Sequence, residues 1–123
     1  MPHSIKCLAA ICAGLCLAAA ASAQQLPRSF EASPDVYKVI AQNEQYKVIA
    51  VTWKPGQKDV LHAHPASAVY YLTDCRLRVH APDGSYRDAL PAAGFALVQS
   101  PIPGHVVENT GSSDCRLVMF EPS

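Results

Sequence analysis

The sequence predicts an all-β domain, and three observations support that prediction. Short runs rich in β-branched and aromatic residues recur about every eight to twelve residues. Turn signals made of proline, glycine, aspartate and serine separate these runs. No segment after Gln24 shows the helical repeat of about 3.6 residues.

The amino-terminal 23 residues are typical of a secretory signal peptide. Lys6 precedes an apolar run over residues 7–20, and Ala21, Ser22 and Ala23 form a small-residue cleavage site. The run is shorter than the roughly 20 residues of a membrane-spanning helix, although a retained anchor is the alternative interpretation. We therefore expect a periplasmic or secreted protein with no membrane association once residues 1–23 are removed.

The rest of the chain divides into an arm and one domain. Residues 24–36 contain Pro27 and Pro34 and are predicted to form an N-terminal arm, and residues 37–123 are predicted to form a single domain. The full chain has 10 basic and 10 acidic residues, so no excess of positive charge favours a nucleic-acid partner.

The first half of the domain contains four predicted strands. The first is short, at residues 37–41, and the second, at residues 46–53, is apolar on both faces in its middle. Pro55 and Gly56 then turn the chain into a strand at residues 60–64. After Pro65, a run rich in valine and tyrosine predicts a strand at residues 67–73.

The second half contains five more predicted strands. Residues 76–81 alternate, with Leu77 and Val79 on one face and three basic side chains on the other, which we expect to face water. A hairpin turn at residues 82–84 leads to a strand at 86–90, and a further turn at 91–94 leads to one at 95–98. A proline-rich loop is expected at residues 101–104, followed by strands at 105–109 and 115–121. Eight or nine short strands, depending on whether the first one forms, must close into a sandwich or a barrel to protect their edges.

Three histidines carry the strongest chemical signal in the chain. His62 and His64 are two positions apart and therefore point to the same side of their strand. His105 follows a Pro-Gly pair and lies on another predicted strand. A third imidazole from a neighbouring strand could complete a metal site with the first two, whereas the alternative is that all three are simply polar side chains in a barrel mouth.

These residues resemble the two-part signature of the cupin superfamily. The resemblance comprises Gly56, the His62-Ala63-His64 motif, Gly94, and Pro103-Gly104-His105 with Asn109, and it spans residues 47–121. It implies a single-domain jelly-roll β-barrel in which His62, His64 and His105 face a metal ion. The family's first motif usually continues with a glutamate, but Ala68 and Val69 occupy the corresponding positions here. The sequence therefore predicts a site of three histidines.

The identity of the ion and the reaction are left open by the sequence. Imidazole ligands suit iron, zinc, nickel and copper alike, so the ligands do not select among these divalent metals, and manganese is a further candidate. The weak candidates for catalytic residues are Tyr71 and Gln99, with Tyr70 and Asp59 as further possibilities. Asn109 is expected to support the turn that follows it.

Two functions fit the resemblance. One is a metal-dependent enzyme, of oxygenase, isomerase or lyase type, acting on a small polar or acidic molecule. The alternative is a non-catalytic module that binds a small ligand or a metal ion. The resemblance also implies that Cys75 and Cys115 lie at adjacent strand ends, where export would allow a disulfide, although two separate thiols are the other possibility. A homodimer is expected because small barrels of this kind bury an edge or an apolar face by pairing.

Overall fold

The computed structural model describes residues 25–123, so the predicted signal peptide lies outside the described residues. A short helix, α1 (Ser29–Ala32), is followed by nine strands. They are β1 (Tyr37–Gln42), β2 (Tyr46–Trp53), β3 (His62–His64), β4 (Ser67–Tyr71), β5 (Leu77–His80), β6 (Tyr86–Ala89), β7 (Ala96–Gln99), β8 (Ile102–Asn109) and β9 (Cys115–Pro122). Among residues 25–123, no helix has the length and apolar character needed to cross a lipid bilayer.

The strands form two sheets that enclose one apolar core. One sheet has the order β1-β2-β9-β4-β7 and the other the order β3-β8-β5-β6, and neighbouring strands are antiparallel. The inward-facing residues alternate along each strand with outward-facing ones, as in β9, where every second residue is buried. The core residues are Val36, Tyr37, Ile49, Val51, Trp53, Val69, Cys75, Leu77, Val107, Cys115, Leu117 and Met119. The predicted all-β jelly-roll architecture is confirmed.

The proline-rich segment before His105 differs from the prediction. We expected residues 101–104 to form a loop, but β8 already begins at Ile102 and pairs there with His64 of β3. Pro103 is tolerated in this strand because the β3–β8 register shifts between His62 and His64, so the missing N–H falls at an irregularity of the ladder. Gly104 also has a role in packing, since a Cβ atom there would lie 2.7 Å from Leu26.

The arm contains a helix that the sequence did not predict. Helix α1 has only four residues, too few to produce a recognisable helical period. The backbone of Arg28, just before the helix, forms a parallel bridge with Ala63 of β3. The arm therefore packs beside the strand that carries two of the three histidines.

The predicted disulfide between Cys75 and Cys115 is confirmed. Strand β4 runs antiparallel to β9, with Tyr71 opposite Leu117, so the end of β4 approaches the start of β9. The two cysteines are 40 residues apart in sequence and their Cα atoms lie 5.1 Å apart. This bond ties the chain that follows β4 to the first residue of the last strand.

Candidate metal centre

Strands β3 and β8 bring the three histidines together. His62 lies directly opposite His105 in the β3–β8 ladder, and His64 points to the same side of β3 as His62. The Nε2 atom of His62 is 2.9 Å from that of His64 and 3.1 Å from that of His105. All three candidate ligand atoms lie within 4.8 Å of one another, and the first two imidazoles are buried.

Two of the imidazoles are fixed in one tautomer by their second nitrogen. The Nδ1 atom of His62 is 2.6 Å from the carbonyl oxygen of Val60, which can only accept, so Nδ1 must carry the proton. The Nδ1 atom of His64 lies 2.7 Å from a carboxylate oxygen of Glu121 and donates in the same way. In a neutral ring held in this way the lone pair is on Nε2, and the Nε2 atoms of the two rings face each other.

This arrangement fits a bound cation. Two nitrogen lone pairs separated by 2.9 Å repel unless a positive charge lies between them. A proton can bridge only one pair of nitrogens, whereas a metal ion with metal–nitrogen bonds of about 2.0–2.1 Å can accept three lone pairs at once. The donor set consists of neutral imidazoles, which suits divalent transition metals.

Burial favours the neutral form of His62 and His105, which is the form a metal ligand requires. Burial lowers the pKa of His62, and burial together with the nearby His62, His64 and Arg87 lowers the pKa of His105 to about 3. Both rings are therefore neutral near pH 7 and hold a lone pair for a ligand bond.

Glu121 is a buried partner of the candidate ligand His64 that the sequence analysis missed. Its side chain is fully buried, accepts from His64 at 2.7 Å, and forms an ion pair with Arg28 at 2.7 Å. Burial alone would raise the pKa of Glu121, but the hydrogen bonds from His64 and Arg28 outweigh it and hold the pKa below its ordinary value. A carboxylate that accepts from the second nitrogen of a ligating histidine fixes the ring and raises its basicity.

A second buried carboxylate, Asp59, lies behind His62. It accepts hydrogen bonds from the Tyr37 hydroxyl at 2.8 Å, from the Trp53 indole at 3.1 Å and from the backbone N–H of Val107 at 2.7 Å. Burial raises the pKa of Asp59, and these three donors oppose the rise. Because its oxygens are engaged in this way, Asp59 acts as a structural anchor between β1, β2 and β8 and is poorly placed to act as a general base.

A cavity of about 440 Å³ opens beside the histidines. His64 and His105 line it, together with Tyr37 and Trp53. The remaining wall is mostly apolar and includes Val69, Leu77, Val79, Leu97, Ile102, Val107, Leu117 and Met119. A cavity of this volume and lining is typical of small-molecule sites.

The structure separates the candidate catalytic residues. Tyr71 and Gln99 both line the cavity, whereas Tyr70 is 45% exposed on the outer face of the sheet. Burial raises the pKa of Tyr71, so its hydroxyl remains protonated at neutral pH. The amide of Gln99 donates to the hydroxyl of Ser67 at 2.7 Å, which orients it on the wall.

Asn109 occupies the position expected from the sequence. Its carbonyl oxygen accepts from the backbone N–H of Gly111, and its amide donates to the backbone oxygens of Trp53 and Ser113. It therefore supports the turn between β8 and β9, and its role is structural.

The chain is similar in structure to solved proteins of the same fold. No protein-family model matches the chain, and no curated protein matches it. A cupin domain from Bordetella pertussis Tohama I is 21% identical over 81% of this chain and 98% of that chain, with a TM-score of 0.66. A conserved protein with a double-stranded β-helix domain from Klebsiella pneumoniae is 19% identical over 71% of this chain and 75% of that one, with a TM-score of 0.57.

A more distant structure shows the same topology. A cupin-family protein with a double-stranded β-helix fold from Methanocaldococcus jannaschii is 9% identical over 71% of this chain and 78% of that chain, with a TM-score of 0.57. Likeness at such low identity reports the course of the backbone and leaves activity open. Together with the two sheets and their strand order, it shows that this chain has the cupin fold.

Proposed function

We propose that this protein is an exported cupin that binds one divalent metal ion through His62, His64 and His105 and acts on a small molecule held in the adjacent cavity. The observation that carries the proposal is the convergence of the three Nε2 atoms, of which two are 2.9 Å apart with their second nitrogens occupied by acceptors. Iron, zinc, nickel and copper all suit imidazole ligands, and manganese is a further candidate ion.

The position of the cavity supports binding of a small molecule next to the ion. His64 and His105 form part of the cavity wall. A molecule in the cavity can therefore approach an ion bound at the histidines. A divalent ion held by three neutral imidazoles supplies a Lewis acid with open coordination positions. The Tyr71 hydroxyl, kept protonated by its burial, can donate a hydrogen bond to a molecule in the cavity.

The wall of the cavity favours oxygenase-type chemistry among the three reaction types expected. Isomerases and lyases usually need a side chain that takes up a proton. The residues that line the cavity include no carboxylate within the described chain, and the two buried carboxylates near the histidines, Asp59 and Glu121, are already engaged. A reaction that relies on the metal itself therefore fits this site better than one that relies on a side-chain base.

The same scarcity of acids and bases supports a second candidate, a non-catalytic module that captures a small molecule or a metal ion. The two candidates differ in dioxygen consumption. Iron-loaded protein mixed under air with small carboxylic acids is expected to consume dioxygen if it is an oxygenase. Binding of those acids without any consumption of dioxygen would favour the non-catalytic module.

Elemental analysis of purified protein tests the metal centre directly. We expect one equivalent of metal per chain in the wild type and its loss in His62→Ala and His105→Ala. His80→Ala is the matched control, because His80 contacts Glu108 at 3.0 Å and belongs to no cluster of potential metal ligands among residues 25–123. Equal metal content in all four proteins would exclude the three histidines as ligands.

Export is part of the proposal and has its own test. The disulfide is the structural feature that supports it, since such bonds persist in oxidising compartments. We propose a periplasmic or secreted location after removal of residues 1–23. Fractionation of the producing cells followed by mass spectrometry should find a mature chain that begins at Gln24, and an intact chain in the cytoplasm would contradict the proposal.

A further inference from the structure

Arg87 is an exposed residue of β6 whose position places it on the wall of the cavity. Its neighbours Tyr86 and Asp88 both contact Arg78 on the outer face, Tyr86 with its ring centroid 4.1 Å from the guanidinium carbon and Asp88 through a bond of 2.8 Å. Side chains alternate along a strand, so Arg87 and Ala89 point to the opposite side, and both line the cavity. The cross-strand partner of Arg87 is Val79, which lines the cavity as well.

The charge of Arg87 is not neutralised by the part of the chain that the structure describes. Arg28 and Arg78 each pair with a carboxylate, whereas no salt bridge or side-chain hydrogen bond within residues 25–123 includes Arg87. Arg87, Tyr71 and His105 all line the same cavity, so the guanidinium shares this space with the cavity tyrosine and one of the candidate ligands. Its positive charge lowers the pKa of Tyr71.

The rest of the wall offers little to a strongly polar ligand. Leu77, Val107, Leu117 and Met119 surround the space, and none of the residues that line it within the described chain is acidic. A sugar or a polyol would leave most of its hydroxyl groups without partners against such a wall. An anion meets no like charge there and finds one guanidinium with a fork of N–H donors.

We propose that the cavity binds a small monocarboxylic acid with an apolar body, and that Arg87 binds its carboxylate. The proposal rests on the proposed function, because the same cavity opens onto the candidate metal centre. It narrows the expected ligand from a polar or acidic molecule to an acid whose remaining atoms are apolar. Arg87 thereby becomes a specificity-determining residue, separate from the three histidines.

Calorimetric titration with phenylacetate tests the proposal. Phenylacetamide has nearly the same shape and no charge, so we expect the wild type to bind it about 10-fold more weakly than phenylacetate, as the loss of a charge-assisted hydrogen bond implies. Arg87→Gln should weaken phenylacetate binding by about the same factor and leave phenylacetamide binding unchanged. Arg76→Gln is the matched control, since Arg76 is exposed like Arg87 but lies outside the cavity lining.

Repeating the titrations with metal-free and zinc-loaded protein separates this proposal from the proposed function. Preference for phenylacetate in both forms, lost in Arg87→Gln alone, would support the role of Arg87 whether or not the native protein carries metal. Equal affinity for the acid and the amide, or binding of the acid that depends on zinc and ignores Arg87→Gln, would overturn it. If the purified protein contains no metal but its preference for phenylacetate over phenylacetamide depends on Arg87, the proposed metal centre is contradicted and the role of Arg87 is supported.

Discussion

Replacing Glu121 with glutamine tests whether the buried carboxylate tunes the candidate metal centre. Glutamine keeps the size of the side chain and an acceptor oxygen for the Nδ1–H of His64, but it removes the negative charge. That charge lies 2.7 Å from the imidazole in a pair whose side chains are 1% and 0% exposed, so water screens it little. We expect the His64 ring to become a weaker ligand.

The expected magnitude follows from the place of Glu121 behind a ligand. Loss of such a partner typically weakens metal binding by about 10- to 100-fold, which is about 1.4–2.7 kcal/mol at 25 °C. Arg28→Gln keeps both partners of the bond between His64 and Glu121 and removes the ion pair behind it, so its effect on metal affinity should be smaller.

The chain provides both the assay and the control. Trp53 is the single tryptophan, lines the cavity and contacts Asp59, so its fluorescence should report Co²⁺ binding at the histidines. Glu108→Gln is the matched control, because Glu108 contacts His80 at 3.0 Å on the outer face, away from the candidate ligands. Urea unfolding of the metal-free variants verifies that each is folded. Equal Co²⁺ affinity for Glu121→Gln and Glu108→Gln would refute the reasoning.

Three further predictions concern the disulfide, pH and assembly. Replacing both Cys75 and Cys115 by serine should lower the free energy of unfolding by about 4 kcal/mol in the chain-entropy model, because the bond closes a loop of 40 residues. An unchanged midpoint of urea unfolding would contradict this. The folded pKa of His105, about 3, lies below the unfolded value of about 6.5, so the unfolded state binds more protons between these values. The free energy of unfolding of the metal-free protein should therefore fall with decreasing pH in that window by up to about 1.4 kcal/mol per pH unit, and His105→Gln should flatten the slope measured by urea unfolding at several pH values. The expected homodimer remains a prediction. Val98 is a candidate contact, because it is 86% exposed on the outer face of the edge strand β7. Val98→Lys should shift sedimentation from dimer to monomer, and a monomeric wild type would disprove pairing.

The shared orientation of His62 and His64 was predictable because it depends on a local rule. The spacing of His62 and His64 places both on one side of any strand, whatever sheet that strand joins. The approach of His105 depends on the pairing of β3 with β8, which the sequence indicates only through the resemblance. The same applies to the disulfide, since it requires β4 and β9 to be neighbours.

The partners behind the ligands were harder to predict. Glu121 shares its face of β9 with Cys115, Leu117 and Met119, and an acidic residue in phase with core residues is a signal that alternation alone could have revealed. Its pairing with Arg28 could not be predicted, because that contact joins the arm to the last strand across 93 residues. The engagement of Asp59 was equally hidden, since its three donors come from β1, β2 and β8.

The extent of individual elements depended on tertiary context. Proline at position 103 favours a loop in sequence-based reasoning, yet the irregular β3–β8 register accommodates it inside β8. The four residues of α1 are too few to form a stable helix on their own. Packing against β1 and β3 stabilises the helix instead.

X-ray absorption spectroscopy of the zinc-loaded protein tests the central claim most directly, because it counts the imidazoles bound to the ion. We predict three imidazole ligands with zinc–nitrogen distances of about 2.0–2.1 Å, reduced to two in His105→Gln. A spectrum with fewer than three imidazoles in the wild type, or one that is unchanged in the variant, would contradict the claim that His62, His64 and His105 bind one metal ion.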